Sequence, residues 1–110
     1  MIDPNDPCLF CDIIKSGCVH ENKLAYASYD SYPVSEHHCL IIPKRHIKDY
    51  FDLTNEELLA CNDLIKIVKN EIVDKDNTVR GFNLGTNIGK VSGQSINHCH
   101  FHLIPRREGD

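Results

Sequence analysis

The spacing of apolar residues in the middle of the chain predicts one long amphipathic helix. Thr54 can cap the helix, and Glu57 three residues later completes a capping box. Apolar side chains then recur at steps of three and four residues, at Leu58, Cys61, Ile65, Val68 and Ile72. The residues between them are mainly polar, so we expect one face to pack on the core and the outer face to carry no chemistry.

Shorter apolar segments on either side of this helix predict strands. Residues 24–29 and 81–87 combine apolar, aromatic and small side chains, and residues 39–42 are a short apolar run that ends at a proline. Residues 8–16 have the spacing of a short helix, and a glycine follows them. A few strands around one long helix indicate an α+β domain with an antiparallel sheet.

Histidine recurs at every second position near the C-terminal end, within a predicted strand over residues 98–104. Successive side chains of a strand point to opposite faces, so His98, His100 and His102 share one face and the apolar residues between them share the other. Three interpretations of the histidine face are open: a surface strand with incidental histidines, a metal site, or anion binding with nucleophilic catalysis. Because His98 and His102 would lie about 13 Å apart along an extended strand, at most two of the three can share one ion.

The loop before this strand favours anion binding and catalysis. It begins at Asn87 and ends at Ser95, and Gly89 and Gly93 within it permit positive φ and a close approach of the backbone to a ligand. Those are the requirements for a nest of N–H groups that holds phosphate oxygens. Gln94 adds a further neutral donor beside Asn87 and Ser95, which suits a phosphoryl group whose charge changes during reaction.

Length, charge and hydropathy exclude several classes of protein. A chain of 110 residues forms one domain, small enough that dimerisation would help to bury apolar surface. Its formal net charge of −4 argues against a nucleic-acid partner that needs a basic surface. No apolar run approaches the ~18 residues of a membrane span, and residues 1–7 lack the basic start of a signal peptide. We therefore expect a cytoplasmic protein without a membrane partner, in which Cys18, Cys39, Cys61 and Cys99 are reduced and structural.

Four segments, taken in order, resemble one family. Residues 93–106 contain the pattern Gly-Gln-Ser-x-x-His-x-His-x-His, and with residues 8–14, 38–46 and 81–89 they resemble the histidine-triad (HIT) nucleotide hydrolases and transferases. The resemblance implies that residues 1–110 form a single HIT domain, with a five-stranded antiparallel sheet, one long helix and one short helix. It also implies a nucleotide substrate and a two-fold homodimer.

The activity that the resemblance implies is hydrolysis of a nucleoside phosphoramidate or a dinucleoside polyphosphate at the α-phosphate, through a covalent nucleotidyl-histidine. His100 would be the nucleophile, and its other ring nitrogen would donate to the carbonyl of His98. His102 would stabilise phosphate oxygens, and Ser95 would relay a proton near the leaving group. The expected nucleotide- and phosphate-binding residues are Asp30, Asn87, Gly93, Gln94, Ser95 and His102. The alternatives are a nucleotidyltransferase with the same intermediate and a nucleotide-binding adaptor with incidental hydrolysis.

Three positions before the central strand are compared with the family. Asp30 lies where the family often places a ribose-binding carboxylate, but it also begins a turn sequence in which aspartate is common. His38 resembles the histidine of the family's Gly-His pair and is expected to support the active site. His37 stands where that family usually has the glycine, which leaves the local backbone conformation open.

The pair Cys8-x-x-Cys11 has the spacing of metal ligands but is only half of a zinc site. The resemblance supplies the other half, because a subset of the family completes the site with the residues equivalent to His46 and His98. Two thiolates and two imidazoles make a closed, structural zinc site. The alternative is a pair of cysteines without metal. No carboxylate cluster accompanies the histidines, so the chemistry itself is expected to need no metal.

Overall fold

The computed structural model describes residues 8–13 and 17–110, which form an antiparallel sheet with one long helix packed on it. The elements in chain order are α1 (Leu9–Ile13), β1 (His20–Glu21), β2 (Ala25–Tyr29), β3 (Cys39–Pro43), a 3-10 turn (Tyr50–Asp52), α2 (Asn55–Lys75), β4 (Val79–Gly85), a second 3-10 turn (Lys90–Ser92) and β5 (Phe101–Arg107). The five strands pair in the order β1-β2-β3-β5-β4, all antiparallel. This confirms the predicted α+β class and the five-stranded sheet.

Helix α2 begins with the predicted capping box. The Thr54 hydroxyl accepts the Glu57 N–H at 3.1 Å, and the Glu57 carboxylate accepts the Thr54 N–H at 2.9 Å. The apolar face of the helix lies on the core, although Leu64 is buried there and was not predicted, while Leu58 and Ile65 are only half-buried. The core between helix and sheet consists of Ala25, Ala27, Cys39, Ile41, Cys61, Leu64, Val68, Ile72, Val79, Phe101 and Leu103.

A smaller apolar cluster covers the other face of the sheet, where the histidines lie. Strand β2 alternates faces, so Tyr26 points away from α2 and its hydroxyl donates to the carbonyl of Phe10 on α1. This cluster is formed by Cys8, Phe10, Tyr26, Leu40 and Ile42. The N-terminal segment is therefore packed against the strands that lead to the candidate site.

The limits of several elements differ from the sequence-based predictions. The last strand was predicted over residues 98–104, but it runs from Phe101 through Pro105 to Arg107, so His98 and His100 precede it. Pro105 is tolerated because β3 pairs with β5 only as far as Leu103, and proline can occupy a strand where no partner needs its N–H.

Smaller differences affect the other elements. Strand β4 begins two residues before the strand predicted over residues 81–87 and also ends two residues before it. Strand β1 was not predicted, because a strand of two residues shows no alternation of apolar and polar side chains. Helix α1 covers part of the predicted 8–16, of which residues 14–16 lie outside the described part of the chain. Among the described residues, no helix has the length and apolar character needed to cross a membrane.

Candidate active site and metal centre

His100 has a fixed tautomer. Its Nδ1 lies 2.8 Å from the carbonyl oxygen of His98, and because a carbonyl can only accept, Nδ1 carries the proton and donates it. The lone pair is therefore on Nε2. The side chain is buried, which lowers the pKa of His100 despite the opposing effect of the His98 carbonyl, so the ring is neutral at pH 7. A neutral imidazole with a free Nε2 can attack phosphorus.

His102 is oriented by a chain of hydrogen bonds that begins at the backbone of Val34. The Val34 N–H donates to Nδ1 of His38 at 3.1 Å, so the proton of His38 is on Nε2. That Nε2 lies 2.9 Å from Nδ1 of His102 and donates to it. His102 consequently presents its own Nε2–H as a donor. Burial lowers the pKa of both rings, which keeps each in this neutral form.

Asp30 combines a turn function with a position beside these histidines. One carboxylate oxygen accepts the Tyr32 N–H at 2.9 Å, as expected for a turn aspartate. The other oxygen lies 3.6 Å from Nε2 of His38. The negative charge of Asp30 opposes the effect of burial on the pKa of His38 and His102. The two interpretations of this residue are therefore compatible.

His37 adopts the left-handed conformation, with φ of 73°. Non-glycine residues seldom adopt this conformation, although histidine is among those that do so more often. The imidazole Nε2 lies 3.2 Å from the Glu36 carboxylate and 3.5 Å from that of Asp76. The backbone thus follows the path that a glycine would allow and carries His38 into the site.

The loop after β4 has the predicted glycine conformations, but part of the predicted nest of N–H groups is used within the loop itself. Gly89 and Gly93 have φ of 85° and 97° and flank the short 3-10 turn. However, the N–H groups of Ser92, Gly93 and Gln94 all donate to carbonyls within the loop. These N–H groups are therefore used to close the loop and are not available to an anion. Gly93 is also needed for space, because a Cβ there would lie 3.6 Å from Nδ2 of Asn87.

Gln94 was expected to donate to phosphate, and its contacts correct that expectation. Its side chain is buried, and its amide nitrogen donates to the carbonyls of Lys48 at 2.7 Å and of Ile96 at 3.1 Å. Its amide oxygen accepts the Gly89 N–H at 2.9 Å. Both amide hydrogens are thereby used, so Gln94 fastens the loop to the segment after β3. Ser95 beside it is exposed and has no hydrogen-bond partner within the described residues, which leaves its hydroxyl available to a ligand.

Cys8, Cys11, His46 and His98 come together as a set of metal ligands. Their ligand atoms all lie within 4.8 Å of one another. Nδ1 of His98 is 3.2 Å from the sulfur of Cys8, and Nδ1 of His46 is 3.3 Å from the sulfur of Cys11. Ligands on a tetrahedral zinc with ordinary bond lengths would be separated by about 3.6 Å. The residues therefore fit zinc in chemistry and in spacing.

The second ring nitrogen of His98 supports the same interpretation. Its Nε2 donates to the carbonyl of Pro43 at 2.8 Å, which leaves the lone pair on Nδ1, facing the two sulfurs. His98 thus has two functions in the structure. Its backbone carbonyl orients His100, and its imidazole completes the candidate metal centre.

Some residues that hold the site were not found from the sequence. The Thr86 hydroxyl donates to the carbonyl of His100 at 2.7 Å, and the ring of Phe10 packs edge-on against His100 with centroids 4.8 Å apart. Arg45 forms two hydrogen bonds with Glu57, at 2.9 and 2.8 Å, and so ties the residue before His46 to helix α2. Thr86 belongs to a segment that the resemblance covered, whereas nothing in the local pattern links Arg45 to Glu57.

Two open recesses border the loop after β4. The first recess has a volume of about 350 Å³ and is lined by Val34, His38, Asn83, Leu84, Gly85, Thr86, Asn87, His102 and Ile104. The second recess has a volume of about 550 Å³ and is lined by Lys48, Gly89, Lys90, Gln94, Ser95 and Asn97. Asp30 lies beside the first recess through its contact with His38.

Comparison with known proteins gives a consistent result. The model of the HIT domain matches residues 13–109. An adenosine 5′-monophosphoramidase from Saccharomyces cerevisiae is 39% identical over 105 residues, which cover 92% of this chain and 63% of that protein. A solved histidine triad nucleotide-binding protein from Sulfolobus tokodaii matches with a TM-score of 0.85 and 39% identity, over 94% of this chain and 71% of that one. A zinc-bound histidine triad family protein from Mycobacterium smegmatis matches with a TM-score of 0.83 and 28% identity, over 94% of this chain and 77% of that one.

Proposed function

The chain belongs to the HIT family, and from this premise we propose that it is a nucleotide hydrolase that cleaves at an α-phosphate through a nucleotidyl-histidine. The observation that carries the proposal is the hydrogen bond from Nδ1 of His100 to the His98 carbonyl, which leaves Nε2 as a buried, neutral nucleophile. The name of the yeast relative, an adenosine 5′-monophosphoramidase, supports a nucleoside phosphoramidate as one substrate class. A dinucleoside polyphosphate would be cleaved by the same steps.

The proposed reaction has two displacements at the same phosphorus. Nε2 of His100 attacks the α-phosphorus, a nitrogen–phosphorus bond forms, and the bond to the leaving group breaks with its electron pair on the departing atom. An amine leaving group takes up one proton as it departs. Water then attacks the phosphorus, loses one proton to solvent and displaces the imidazole. The products are the nucleoside monophosphate and His100 in its original neutral form.

The surrounding residues hold the nucleotide in this proposal. His102 donates from Nε2 to a nonbridging phosphate oxygen, because its Nδ1 is occupied by His38. Asn87 and the exposed Ser95 hydroxyl offer further donors, with Gly93 keeping the space beside Asn87 open. The Asp30 carboxylate retains lone pairs for ribose hydroxyls in addition to its turn contact.

We propose that zinc bound by Cys8, Cys11, His46 and His98 is structural. Four protein ligands would leave no open position, so the ion supplies cross-linking and no reacting group. It would tie the N-terminal segment to His46, three residues after β3, and to His98. Because the His98 carbonyl sets the tautomer of His100, the ion would also steady the nucleophile without taking part in the reaction.

We also propose a homodimer formed through β4. This strand is at the edge of the sheet and pairs only with β5 within the described residues. An unpaired edge is a site for another strand, and the exposed fraction of Leu84 on it is 55%. A recess lined by Ile65, Phe82, Leu84 and Leu103 lies between this edge and α2, so a second copy could cover apolar surface there.

The proposed function is tested by His100→Ala with a fluorogenic AMP phosphoramidate. Loss of the covalent nucleophile should lower kcat by at least ~10³-fold, while AMP binding measured by calorimetry survives. His20→Ala is a matched control, because His20 pairs with Glu71 at the other edge of the sheet. Mass spectrometry of the quenched wild-type reaction should detect a nucleotidyl adduct on the peptide that contains His100.

The outcomes separate the alternatives. Activity retained in the His100→Ala variant would place the nucleophile elsewhere and refute the mechanism. A wild-type rate no greater than that of the variant would favour a nucleotide-binding adaptor. An adduct that is transferred to added phosphate faster than to water would favour a nucleotidyltransferase.

A further inference from the structure

The second recess is a positively charged site on an acidic chain. Lys48 and Lys90 line it together with Ser95, Asn97 and the backbone of Gly89, and no carboxylate is among the lining residues. The chain as a whole has a formal net charge of −4. Two lysines, a serine and an asparagine line the recess without an acidic residue, and this composition favours an anion over a cation.

The charges of these two lysines are not used elsewhere. Lys44 pairs with Glu21 at 2.6 Å, whereas Lys48 and Lys90 form no ion pair within the described residues. Asp49, the acid next to Lys48 in the sequence, accepts the Phe51 N–H at 2.9 Å and is not among the residues that line the recess. Both ammonium groups are therefore available to a ligand.

The walls of the recess are held at a fixed separation by Gln94. Lys48 follows β3 and Lys90 follows β4, so the two come from distant parts of the chain. The buried Gln94 side chain joins them, donating to the Lys48 carbonyl at 2.7 Å and accepting the Gly89 N–H at 2.9 Å. The recess is thus built by the fold and is more than two neighbouring surface lysines.

The second recess shares a loop with the first recess, which contains His102. The loop from Asn87 to Ser95 borders both recesses: Asn87 lines the first with His102, and Ser95 lines the second. His100 lies beside the start of this loop, because Thr86 donates to its carbonyl at 2.7 Å. The loop therefore connects the recess that contains His102 with the recess that contains Ser95 and the two lysines.

We propose that the second recess binds an anionic leaving group, so that this chain prefers nucleotides whose α-phosphate is joined to phosphate or sulfate over those joined to an amine. This inference rests on the proposed function and names its substrate class. The attack of His100 would break the bond between phosphorus and the bridging oxygen, and the electron pair would stay on the departing anion. Sulfate or a phosphate chain leaves as a stable anion without a proton, and Lys48 and Lys90 would neutralise its charge. A protonated amine leaving group carries no negative charge for the two ammonium groups to neutralise.

The test compares two substrates that share the nucleotide. Adenylyl sulfate releases sulfate, and adenosine 5′-phosphoramidate releases ammonia. An exposed ion pair changes an equilibrium by about threefold, so the variant with both Lys48→Ala and Lys90→Ala should lose about tenfold in kcat/KM for adenylyl sulfate. For the phosphoramidate, kcat/KM of the double variant should differ from that of the wild type by less than about twofold. In the wild type, raising the ionic strength from ~0.05 to ~0.3 M should reduce the ratio of kcat/KM for adenylyl sulfate to kcat/KM for the phosphoramidate. In the double variant this ratio should not change. Lys23→Ala, an exposed residue outside the recess, is the charge-matched control.

The possible results distinguish this inference from the proposed function. Equal losses for the two substrates, or no loss for adenylyl sulfate, would overturn the inference while hydrolysis remains intact. If the wild type hydrolyses neither substrate, the proposed function fails, and the recess is tested by calorimetry with inorganic pyrophosphate. Binding by the wild type that is lost in the double variant would then support the anion site, and binding that is absent or equal in the two proteins would refute it.

Discussion

The bond between Arg45 and Glu57 provides a quantitative test of how helix α2 holds the metal-binding segment. Glu57 is 4% exposed and accepts two hydrogen bonds from the Arg45 guanidinium and one from the Thr54 N–H. The hydrogen bonds from Arg45, followed in importance by the Thr54 N–H, lower the pKa of Glu57 from 4.5 to about 2 against the opposing effect of burial. The change that tests this arrangement is Glu57→Gln, which keeps the shape of the side chain and removes its charge.

The magnitude follows from that pKa. A difference of about 2.5 pKa units between unfolded and folded chains corresponds to about 3 kcal/mol of stability at pH 7. Solvent reaches the Arg45 side chain, which is 54% exposed, and glutamine retains an acceptor, so we expect a loss of about 2 kcal/mol. For a domain of this size that loss lowers Tm by about 8 °C.

The pH dependence gives the sign of the effect. The folded-state pKa of Glu57 is lowered, so its stabilisation is complete above the unfolded value of 4.5 and is lost as the pH falls toward about 2. The stability difference between wild type and Glu57→Gln should therefore be constant from pH 6 to 8 and should fall by roughly half by pH 3.

Urea denaturation at pH 7 and pH 3, with equal metal content in both proteins, measures this difference. Glu56→Gln is the matched control, because Glu56 is exposed in the same first turn and has no arginine partner within the described residues. A difference below about 0.5 kcal/mol at pH 7, the usual range for surface substitutions, would show that the Arg45 bond contributes little. A large difference that does not change between pH 7 and pH 3 would mean that packing, and not the charge of Glu57, is responsible.

The remaining predictions concern the metal and the assembly. Protein purified without chelators should contain about one zinc per chain, and the variant with both Cys8→Ser and Cys11→Ser should lose the metal and melt at a lower temperature but keep some turnover. Elemental analysis that finds well below one zinc per wild-type chain would contradict the metal centre. Light scattering at micromolar concentration should give the mass of a dimer. The Leu84→Asp variant should shift the measured mass toward that of the monomer. The Leu59→Asp variant, changed on the exposed side of α2, should keep the mass of the dimer. A monomeric wild type across that concentration range would refute the β4 interface.

Features that depend on neighbouring residues could be predicted from the sequence. The capping box of Thr54 and Glu57 joins residues three apart, and it is present as predicted. The positive φ of Gly89 and Gly93 also follows from local sterics, which the pattern of glycines reports directly. The limits of the last strand did not follow, because the tolerance of Pro105 depends on where the neighbouring β3 begins.

The use of each polar side chain at the site was decided by tertiary structure. Gln94 lies beside the glycines in sequence and seemed suited to phosphate, but folding places the Lys48 carbonyl, 46 residues away, within 2.7 Å of its amide. Likewise, the tautomer of His102 depends on His38, which is 64 residues distant. A sequence names the donors and acceptors, whereas the fold determines which of them meet, and a hydrogen bond already made inside the protein is not available to a ligand.

The sequence by itself determined the chemistry that is possible in this protein. Alternating histidines, paired cysteines and a glycine-bracketed loop supply imidazole, thiolate and neutral donors, and the link from His100 to the His98 carbonyl spans only two residues. Only the tertiary structure decided what each of those groups contacts. It turns the imidazole of His98 toward Cys8 and Cys11 and buries the side chain of His100. It also brings Lys48 and Lys90 to one recess. Side-chain chemistry is a property of each residue, whereas proximity between distant residues arises from packing a continuous core and cannot be seen in any local pattern.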